Sequence, residues 1–566
     1  MTETPARELT DSPDFWDQPG RQWLLLAALV VLAYGQTVTF GFTNWDDMTY
    51  LGANPMLDGF TWENLKAIWL PGRLKMENLY LPLMYQGFMV EVTLFGYRPS
   101  VIHGTNVLLQ ALNAGLVLLV ARRWLPGRPW AAFLAALLFA LHPLQVEAVA
   151  WCMGRKDLQA TGFGLAALLV WDRWASRGGR GLPWTTWLLF TLACLTKPSV
   201  ILMPPLLLAV AWTRLGRWHW RSALLLLPTL APAALVYVLN QKDEPIHAES
   251  IRAALPWLPT VLAGALGRLA FLQPIVPYYM RTDGPPSAPA LALSLAVCVG
   301  FVALIAWLYW RRRPVAATAL LVAGWFMAPG LEVTLSDRGY LTADRYVYLA
   351  TVAGFIGLAA LVAPLLTTAR RRLAVLVLTA LLLTPLTYHF AGFWRDGRSM
   401  WTRVLAVYPE SVAGHNNLAN LLSDAGEDEA AIDHYEQALA AEPDNWQTLS
   451  NLGDSLNRVG RHRDAIRHLR RSLELNPAYL EGGFNLALAL DADGQSDAAI
   501  AVLVRLIHMH PHSHVAIHYL GVILARQGQP AQAALAFQRA CELAPHDAGY
   551  AQDLARALRD AQAAEP

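Results

Sequence analysis

Most of the chain between residues 22 and 392 consists of apolar runs of membrane-spanning length. A helix needs about 17 to 25 mostly apolar residues to cross a bilayer. Helices and closed barrels are the structures that satisfy their own backbone hydrogen bonds there. The sequence therefore predicts an all-α, polytopic membrane domain over residues 22–400, after a tail at 1–21. Its eleven predicted spans are 22–40, 100–121, 129–150, 157–174, 182–197, 198–214, 222–240, 289–310, 315–331, 343–365 and 372–392.

Two further apolar stretches, 80–95 and 255–276, are ambiguous, because they contain Glu91 and Arg268 respectively. The positive-inside rule decides their status. If the N-terminus is cytoplasmic and neither stretch crosses, the arginine clusters near residues 122, 177, 217, 312 and 371 all fall on the cytoplasmic side. We therefore expect 80–95 to lie along the outer interface and 255–276 to do the same or to dip in and out. The first run is expected to be a retained signal anchor.

This orientation places the unusual polar motifs and the soluble C-terminal domain on the outer side. That side is the periplasm if the protein is bacterial, in which case the membrane is the inner membrane. It is the endoplasmic reticulum lumen if the protein is eukaryotic. The high Ala, Arg and Leu content favours a bacterial source.

The first outer loop, residues 41–99, carries the adjacent acids Asp46 and Asp47 just past the first span. Two neighbouring carboxylates near a bilayer surface require solvent, a cation or a reacting proton. They could hold a divalent ion, although no full ligand set accompanies them. The alternative is that they only cap the following helix.

The outer loop 142–157 begins at His142 and contains Glu147, Arg155, Lys156 and Asp157. The two cations could bind the phosphate of a lipid-borne donor, since guanidinium and ammonium groups suit phosphate oxygens. The alternative is an ordinary polar loop whose cations reach the interface along their own stems.

Lys197, Asp344 and Arg345 lie at the outer ends of other spans. A lysine bounded by apolar runs suggests function, although a helix-end lysine can also reach the interface. Asp344 and Arg345 can pair with each other, or the arginine can turn inward to a substrate phosphate.

A 34-residue repeat replaces the apolar runs in residues 401–566. It relates Pro409, Pro443, Pro477, Pro511 and Pro545, and likewise Gly426, Gly460, Gly494 and Gly528. Small residues recur where paired helices must approach closely. This period is that of the tetratricopeptide repeat, with four repeats over 412–545 and a capping helix over 547–563. His508, His510, His512 and His514 alternate at a helix–helix turn, which favours surface histidines over metal ligands.

The net charge of +1 and the lack of a basic stripe argue against a nucleic-acid partner. The four cysteines are far apart, so neither a disulfide framework nor a zinc site is predicted.

The chain resembles the tetratricopeptide-containing O-mannosyltransferases and their bacterial relatives, which are C-type membrane glycosyltransferases. The resemblance covers almost the whole chain. Its motifs are Trp45-Asp46-Asp47 with Asn54-Pro55, Phe95-Gly96 through His103-Gly104-Thr105-Asn106, His142-Pro143-Leu144-Gln145-Val146-Glu147, Gly154-Arg155-Lys156-Asp157, Lys197-Pro198 and Ala343-Asp344-Arg345-Tyr346.

The resemblance implies a transferase that moves a sugar, usually mannose, from a polyprenyl or dolichyl phosphate to a hydroxyl of a protein or glycan. A first-loop acid is the presumed catalytic residue, which matches Asp46 or Asp47. We expect inversion, with Asp46 as general base and Asp47 as orienter or second candidate. The cations expected to stabilise the leaving phosphate are Arg155, Lys156, Arg345 and Lys197, with His142, Glu147, Asp157 and Asp344 in support.

The repeats would bind the acceptor or dock a partner protein. The rival hypothesis is a non-catalytic membrane scaffold, for which the repeats matter and Asp46 and Asp47 do not. A transporter would require mid-span charges and matching halves, and neither is visible.

Overall fold

A computed structural model describes residues 15–52, 54–70, 80–215, 220–240, 248–281, 285–335 and 340–564. Most of the predicted tail and parts of the first outer loop lie outside these residues. The chain divides into two compact units, residues 1–403 and 404–566.

In the described part of the first unit, the regular structure is helical apart from one short ribbon. Its helices are α1 (Pro19–Tyr34), α2 (Trp62–Trp69), α3 (Pro82–Phe95), α4 (Pro99–Trp124), α5 (Pro129–Leu141), α6 (Val146–Ala150), α7 (Arg155–Ser176), α8 (Trp184–Cys194), α9 (Met203–Leu215), α10 (Trp220–Leu226), α11 (Leu230–Leu239), α12 (Ala248–Ala254), α13 (Leu258–Leu269), α14 (Ala288–Trp310), α15 (Pro314–Trp325), α16 (Ala328–Leu335), α17 (Tyr348–Val362), α18 (Ala369–Ala391) and α19 (Gly397–Val407). Strands β1 (Tyr279–Met280) and β2 (Tyr340–Thr342) pair antiparallel, with Tyr279 opposite Thr342. The division between the units falls within α19.

Eight helical runs among the described residues are long and apolar enough to cross a membrane. They are Pro19–Thr39, Pro99–Trp124, Pro198–Leu215, Trp220–Leu239, Ala288–Trp310, Pro314–Leu331, Asp344–Leu365 and Ala369–Trp394. The pair Pro129–Leu141 and Pro143–Ala150, bent by 52°, makes a ninth if it is counted as one span. These runs make the chain a membrane protein.

Two of the eleven predicted spans, 157–174 and 182–197, are not long and apolar enough to be counted among these runs. Helix α7 has 22 residues but includes five charged side chains, and α8 has only 11 residues. The ambiguous stretch 80–95 forms the 14-residue helix α3, and 255–276 contains the 12-residue helix α13. Neither belongs to the eight runs.

The bend between α5 and α6 frees backbone carbonyls inside an apolar environment, where each needs a partner. Gln110 Nε2 donates to the carbonyls of Phe139 and Ala140 at 3.3 and 3.4 Å. The Thr387 hydroxyl donates to the carbonyl of Leu141. Polar side chains of α4 and α18 therefore stabilise the break.

Helix α7 separates two groups of charges. Asp157 lies in its first turn. Near its other end, Asp172 accepts from Arg123 Nη1 at 2.8 Å and from Arg214 Nε at 2.6 Å. Fifteen residues of helix span about 22 Å. The arginine-rich end therefore lies about 22 Å along α7 from the end that carries the candidate site.

The second unit stacks helix pairs as the 34-residue period predicts. Its helices after α19 are α20 (Val412–Asp424), α21 (Asp428–Ala441), α22 (Trp446–Arg458), α23 (His462–Leu475), α24 (Leu480–Ala492), α25 (Ser496–Met509), α26 (His514–Arg526), α27 (Pro530–Leu543) and α28 (Ala548–Ala564). Gly426, Gly460, Gly494 and Gly528 end the first helix of each pair with φ between 74° and 82°. Glycine is favoured at such positions because it has no Cβ.

Candidate active site

The loop after α1 turns around the carboxylate of Asp47, which is 1% exposed. Its Oδ2 accepts hydrogen bonds from the Thr43 backbone N–H at 2.9 Å and from the Thr43 hydroxyl at 2.8 Å. Burial raises the pKa of Asp47 to about 6, because desolvation outweighs these two bonds. Asp47 thus binds backward to Thr43 and closes the turn over residues 43–47.

The neighbouring side chains are also fixed. The Asn44 Oδ1 accepts from Trp401 Nε1 at 3.1 Å. Trp45 lies in an aromatic cluster, with ring centroids 5.6 to 6.3 Å from its own; the other members are Trp151, Trp394, Trp401 and Tyr278.

Asp46 differs from these neighbours. It is half-buried, and among the described residues its carboxylate makes no hydrogen bond or ion pair. It acts electrostatically on Lys156. Asp46 is therefore the side chain of this turn that remains available to a substrate.

Three of the predicted phosphate-binding cations gather beside this turn. Lys156 interacts electrostatically with Arg345, Lys197 and Asp46, and its Nζ lies 5.0 Å from the Trp151 ring centroid. The Arg345 guanidinium lies 5.0 Å from the same ring. Residues far apart in the sequence thus bring three cations together near Asp46.

Two of these cations have buried carboxylate partners. Arg345 pairs with Glu147 through its guanidinium, and its backbone N–H donates to the second Glu147 oxygen at 3.0 Å. Lys197 pairs with Asp157. Glu147 and Asp157 thus hold the two cations in place.

A cavity opens at this cationic region. Its polar lining is Asp157, Thr161, Lys197, Ser199 and Arg345, and its remaining lining is Ala160, Val200, Phe326, Pro329, Tyr346 and Leu349. Its lining thus combines the charged side chains of Asp157, Lys197 and Arg345 with apolar side chains.

The structure places Arg155, which was predicted to bind phosphate, in a buried position with other partners. Its guanidinium is 1% exposed and donates to Glu91 Oε2 at 2.6 Å, to Asn106 Oδ1 at 3.0 Å and to the Ile102 carbonyl at 2.8 Å. A buried guanidinium engaged at all three nitrogens has no remaining role as a phosphate ligand. It joins α3, α4 and α7.

His142 is also structural. Its Nδ1 accepts from the Leu144 N–H at 3.2 Å and its Nε2 lies 3.2 Å from the Leu269 carbonyl, which together assign the neutral Nε2–H tautomer. It therefore shapes the break between α5 and α6.

An ion pair between Asp344 and Arg345 was one of the two predicted arrangements, and it does not form. It pairs with Arg268, with 2.9 Å between Oδ1 and Nε. The Tyr279 hydroxyl lies 3.0 and 2.9 Å from the two Asp344 oxygens. Asp344 thus anchors the segment before α14 to the start of α17.

Sequence reasoning missed Glu91, Arg268, Tyr279 and the partners of Trp45. The only available signal was that Glu91 and Arg268 interrupt apolar stretches. A buried charge in such a stretch requires a partner, but the sequence does not identify which one.

The turn that presents Lys156 depends on Gly154. A Cβ at Gly154 would lie 2.3 Å from the Ala148 carbonyl oxygen and 2.7 Å from its carbonyl carbon. We expect Gly154→Ala to lower the free energy of unfolding by about 1–3 kcal/mol, as overpacking typically does. Detergent-solubilised protein titrated with denaturant measures this change.

The matched control is Gly300→Ala, because nothing lies within 4 Å of a Cβ built there. Equal stability of the two variants would contradict the close approach at Gly154.

Within the described residues, no group of three or more His, Cys, Asp or Glu side chains is placed to hold a metal ion. Two of the four repeat-region histidines have other contacts. His510 Nε2 lies 2.9 Å from the Ala478 carbonyl, and His514 Nδ1 lies 3.0 Å from the Tyr550 hydroxyl.

The fold defines a polytopic helical membrane protein that carries tetratricopeptide repeats. Residues 415–478, 450–514 and 484–548 match models of the tetratricopeptide repeat. The predicted repeats are therefore confirmed.

Among curated proteins, the chain is homologous to proteins named O-mannosyl-transferases. It is 31% identical over 163 residues to protein O-mannosyl-transferase TMTC1 of Mus musculus, which covers 28% of this chain and 17% of the relative. It is 36% identical over 115 residues to TMTC2 of Mus musculus, which covers 20% of this chain and 14% of that relative. The matched segments thus span less than a fifth of these relatives. Among solved structures, MamA matches 26% of this chain and 87% of its own at 23% identity, with a TM-score of 0.26.

Proposed function

We propose that this protein is a membrane glycosyltransferase that moves a sugar from a polyprenyl-phosphate donor to a hydroxyl of a protein or glycan. Mannose is the proposed sugar, because the relatives are named O-mannosyl-transferases. The membrane is proposed to be the bacterial inner membrane, with the site and the repeats on the periplasmic side.

The observation that carries the proposal is the clustering of Lys156, Arg345 and Lys197 near Asp46, together with a cavity lined by Lys197 and Arg345. Asp157 and Glu147 hold Lys197 and Arg345 in fixed positions. Preorganised charge of this kind stabilises a negative charge that develops in a reaction.

The proposed reaction is a single displacement at the anomeric carbon. The bond from that carbon to the phosphate oxygen breaks as the bond to the acceptor oxygen forms, so configuration inverts. The hydroxyl proton passes to the Asp46 carboxylate, and the lipid phosphate leaves with the bonding electron pair. Lys156, Arg345 and Lys197 stabilise the departing phosphate.

Asp46 is preferred as the base over Asp47 because of its surroundings. The raised pKa of Asp47 would suit a base, but its carboxylate is buried and bonded to Thr43. A base must reach the hydroxyl proton, and geometry is weighed before pKa. Asp47 therefore orients the turn.

The test is sugar release from polyprenyl-phosphate-mannose by the purified full chain in lipid nanodiscs. We expect turnover, and we expect Lys156→Gln to raise the donor KM about 10- to 100-fold, since charged hydrogen bonds contribute about 1.5–3 kcal/mol. Lys66→Gln is the control, because Lys66 lies in α2 and pairs with Glu63. An unchanged KM in Lys156→Gln would remove Lys156 from the phosphate site.

A membrane-anchored scaffold is the second candidate function, favoured by the matched repeats themselves. Such repeats are typical of protein interaction surfaces. The scaffold predicts an inert parent protein across several lipid-phosphate sugars, together with partner capture that survives substitution of Asp46.

A further inference from the structure

The turn that carries Asp46 is attached to residues 394–401, a segment we call the brace. The Gly41 N–H donates to the Arg395 carbonyl at 3.0 Å. The rings of Trp45 and Trp394 stack with centroids 6.3 Å apart. The loop and the brace are more than 340 residues apart in sequence, so these contacts are purely tertiary.

The third contact, between Trp401 and Asn44, acts on a residue close to Asp46 in the same turn. Trp401 is 2% exposed, and its indole N–H donates to the side chain of Asn44, two residues before Asp46. A buried indole N–H normally has a hydrogen-bond partner. Here that partner is the side chain of Asn44, which lies in a loop. By holding Asn44, the bond restrains the backbone next to the proposed base.

We infer that Trp401 is a positioning residue for the transfer reaction. This inference rests on the proposed function, with Asp46 as base. Trp401 holds Asn44, two residues before Asp46, and Asp47, the residue after Asp46, binds back to Thr43. The Asp46 carboxylate is thus positioned by its neighbours, and its own oxygens remain available to the substrate.

The effect should appear in kcat. A general base acts from within about 2.6–3.2 Å of the proton it removes, and a displacement of about 1 Å can reduce the rate about 100-fold. Donor binding depends on Lys156, Lys197 and Arg345, so the donor KM should change little when the Trp401 bond is lost.

A purely packing role makes a different prediction. Trp394 belongs to the same aromatic cluster and is 3% exposed, and among the described residues its indole makes no hydrogen bond. Trp394→Phe therefore removes a comparable part of the cluster while leaving the Asn44 bond intact. It is the matched comparator for Trp401→Phe.

The experiment measures kcat and donor KM for the full chain and for Trp401→Phe, Trp394→Phe and Asn44→Ala, with rates divided by the folded fraction. We expect kcat to fall about 10-fold or more in Trp401→Phe and Asn44→Ala, with KM within about twofold. The fall in Trp394→Phe should be clearly smaller. The double variant of Trp401 and Asn44 should be no slower than the slower single variant, because each single variant already lacks the hydrogen bond between these two side chains.

Equal falls in Trp401→Phe and Trp394→Phe, or a normal kcat in Asn44→Ala, would overturn the inference while the transferase assignment stands. Asn44→Ala alone decides the matter if Trp401→Phe does not fold. A parent protein without turnover on any lipid-phosphate sugar would instead overturn the proposed function on which the inference rests.

Discussion

Asp46→Asn should reduce sugar transfer about 100- to 10,000-fold, the range typical of a lost general base. The substitution keeps the size of the side chain and removes its ability to take a proton. Asp46 makes no hydrogen bond or ion pair among the described residues, so the loop should fold as before. The measurement is kcat for mannose transfer, alongside thermal unfolding of each variant.

Asp47→Asn should retain most of the activity. Its amide oxygen can accept the same two hydrogen bonds from Thr43 that the carboxylate accepts. Asp47→Ala cannot, and should lose activity through disorder of the turn. Glu63→Gln, a 73%-exposed acid of the same loop, serves as the neutral control. The assignment fails if Asp47→Asn is inert while Asp46→Asn is active.

Arg155→Met should lower the free energy of unfolding by about 3–5 kcal/mol, because it leaves the Glu91 carboxylate without its buried partner. The Glu91 side chain is only 12% exposed. Mixed-micelle denaturation of the full chain measures the change. The double variant Arg155→Met/Glu91→Leu should regain much of the loss, since apolar replacement of a buried pair is often neutral.

Two results would contradict this structural role. The first is a stable Arg155→Met protein with a raised donor KM, which is what a phosphate ligand predicts. The second is a double variant as unstable as the single one. Lys66→Gln, which breaks an exposed pair, should change stability by less than about 1 kcal/mol.

Arg155 and Lys156 show where sequence reasoning ended. Both were predicted to bind phosphate, because adjacent cations at a helix start are equivalent in a sequence. Consecutive helical residues point in directions about 100° apart, so one is buried against Glu91 and the other lies beside Asp46. The identity of the buried one depends on α3, which the sequence left ambiguous.

The repeats were predictable in detail because their helices contact only their sequence neighbours, so a local pattern determines the packing. The membrane unit differs in this respect. Lys197, Arg345 and Asp46 were each predicted as site residues because they are charged and lie at the ends of apolar runs. The partner of Lys197, Asp157, is 40 residues away, and the partner of Arg345, Glu147, is 198 residues away. No local sequence pattern encodes such pairs.

The brace affects how the contribution of the repeats can be measured. A chain cut after residue 400 loses Trp401 together with the repeats, whereas a chain cut after residue 408 keeps all of α19. An inactive shorter chain would therefore give the false impression that the repeats are needed for chemistry. The longer truncation separates the contribution of the repeats from that of Trp401, the last aromatic residue of the membrane unit.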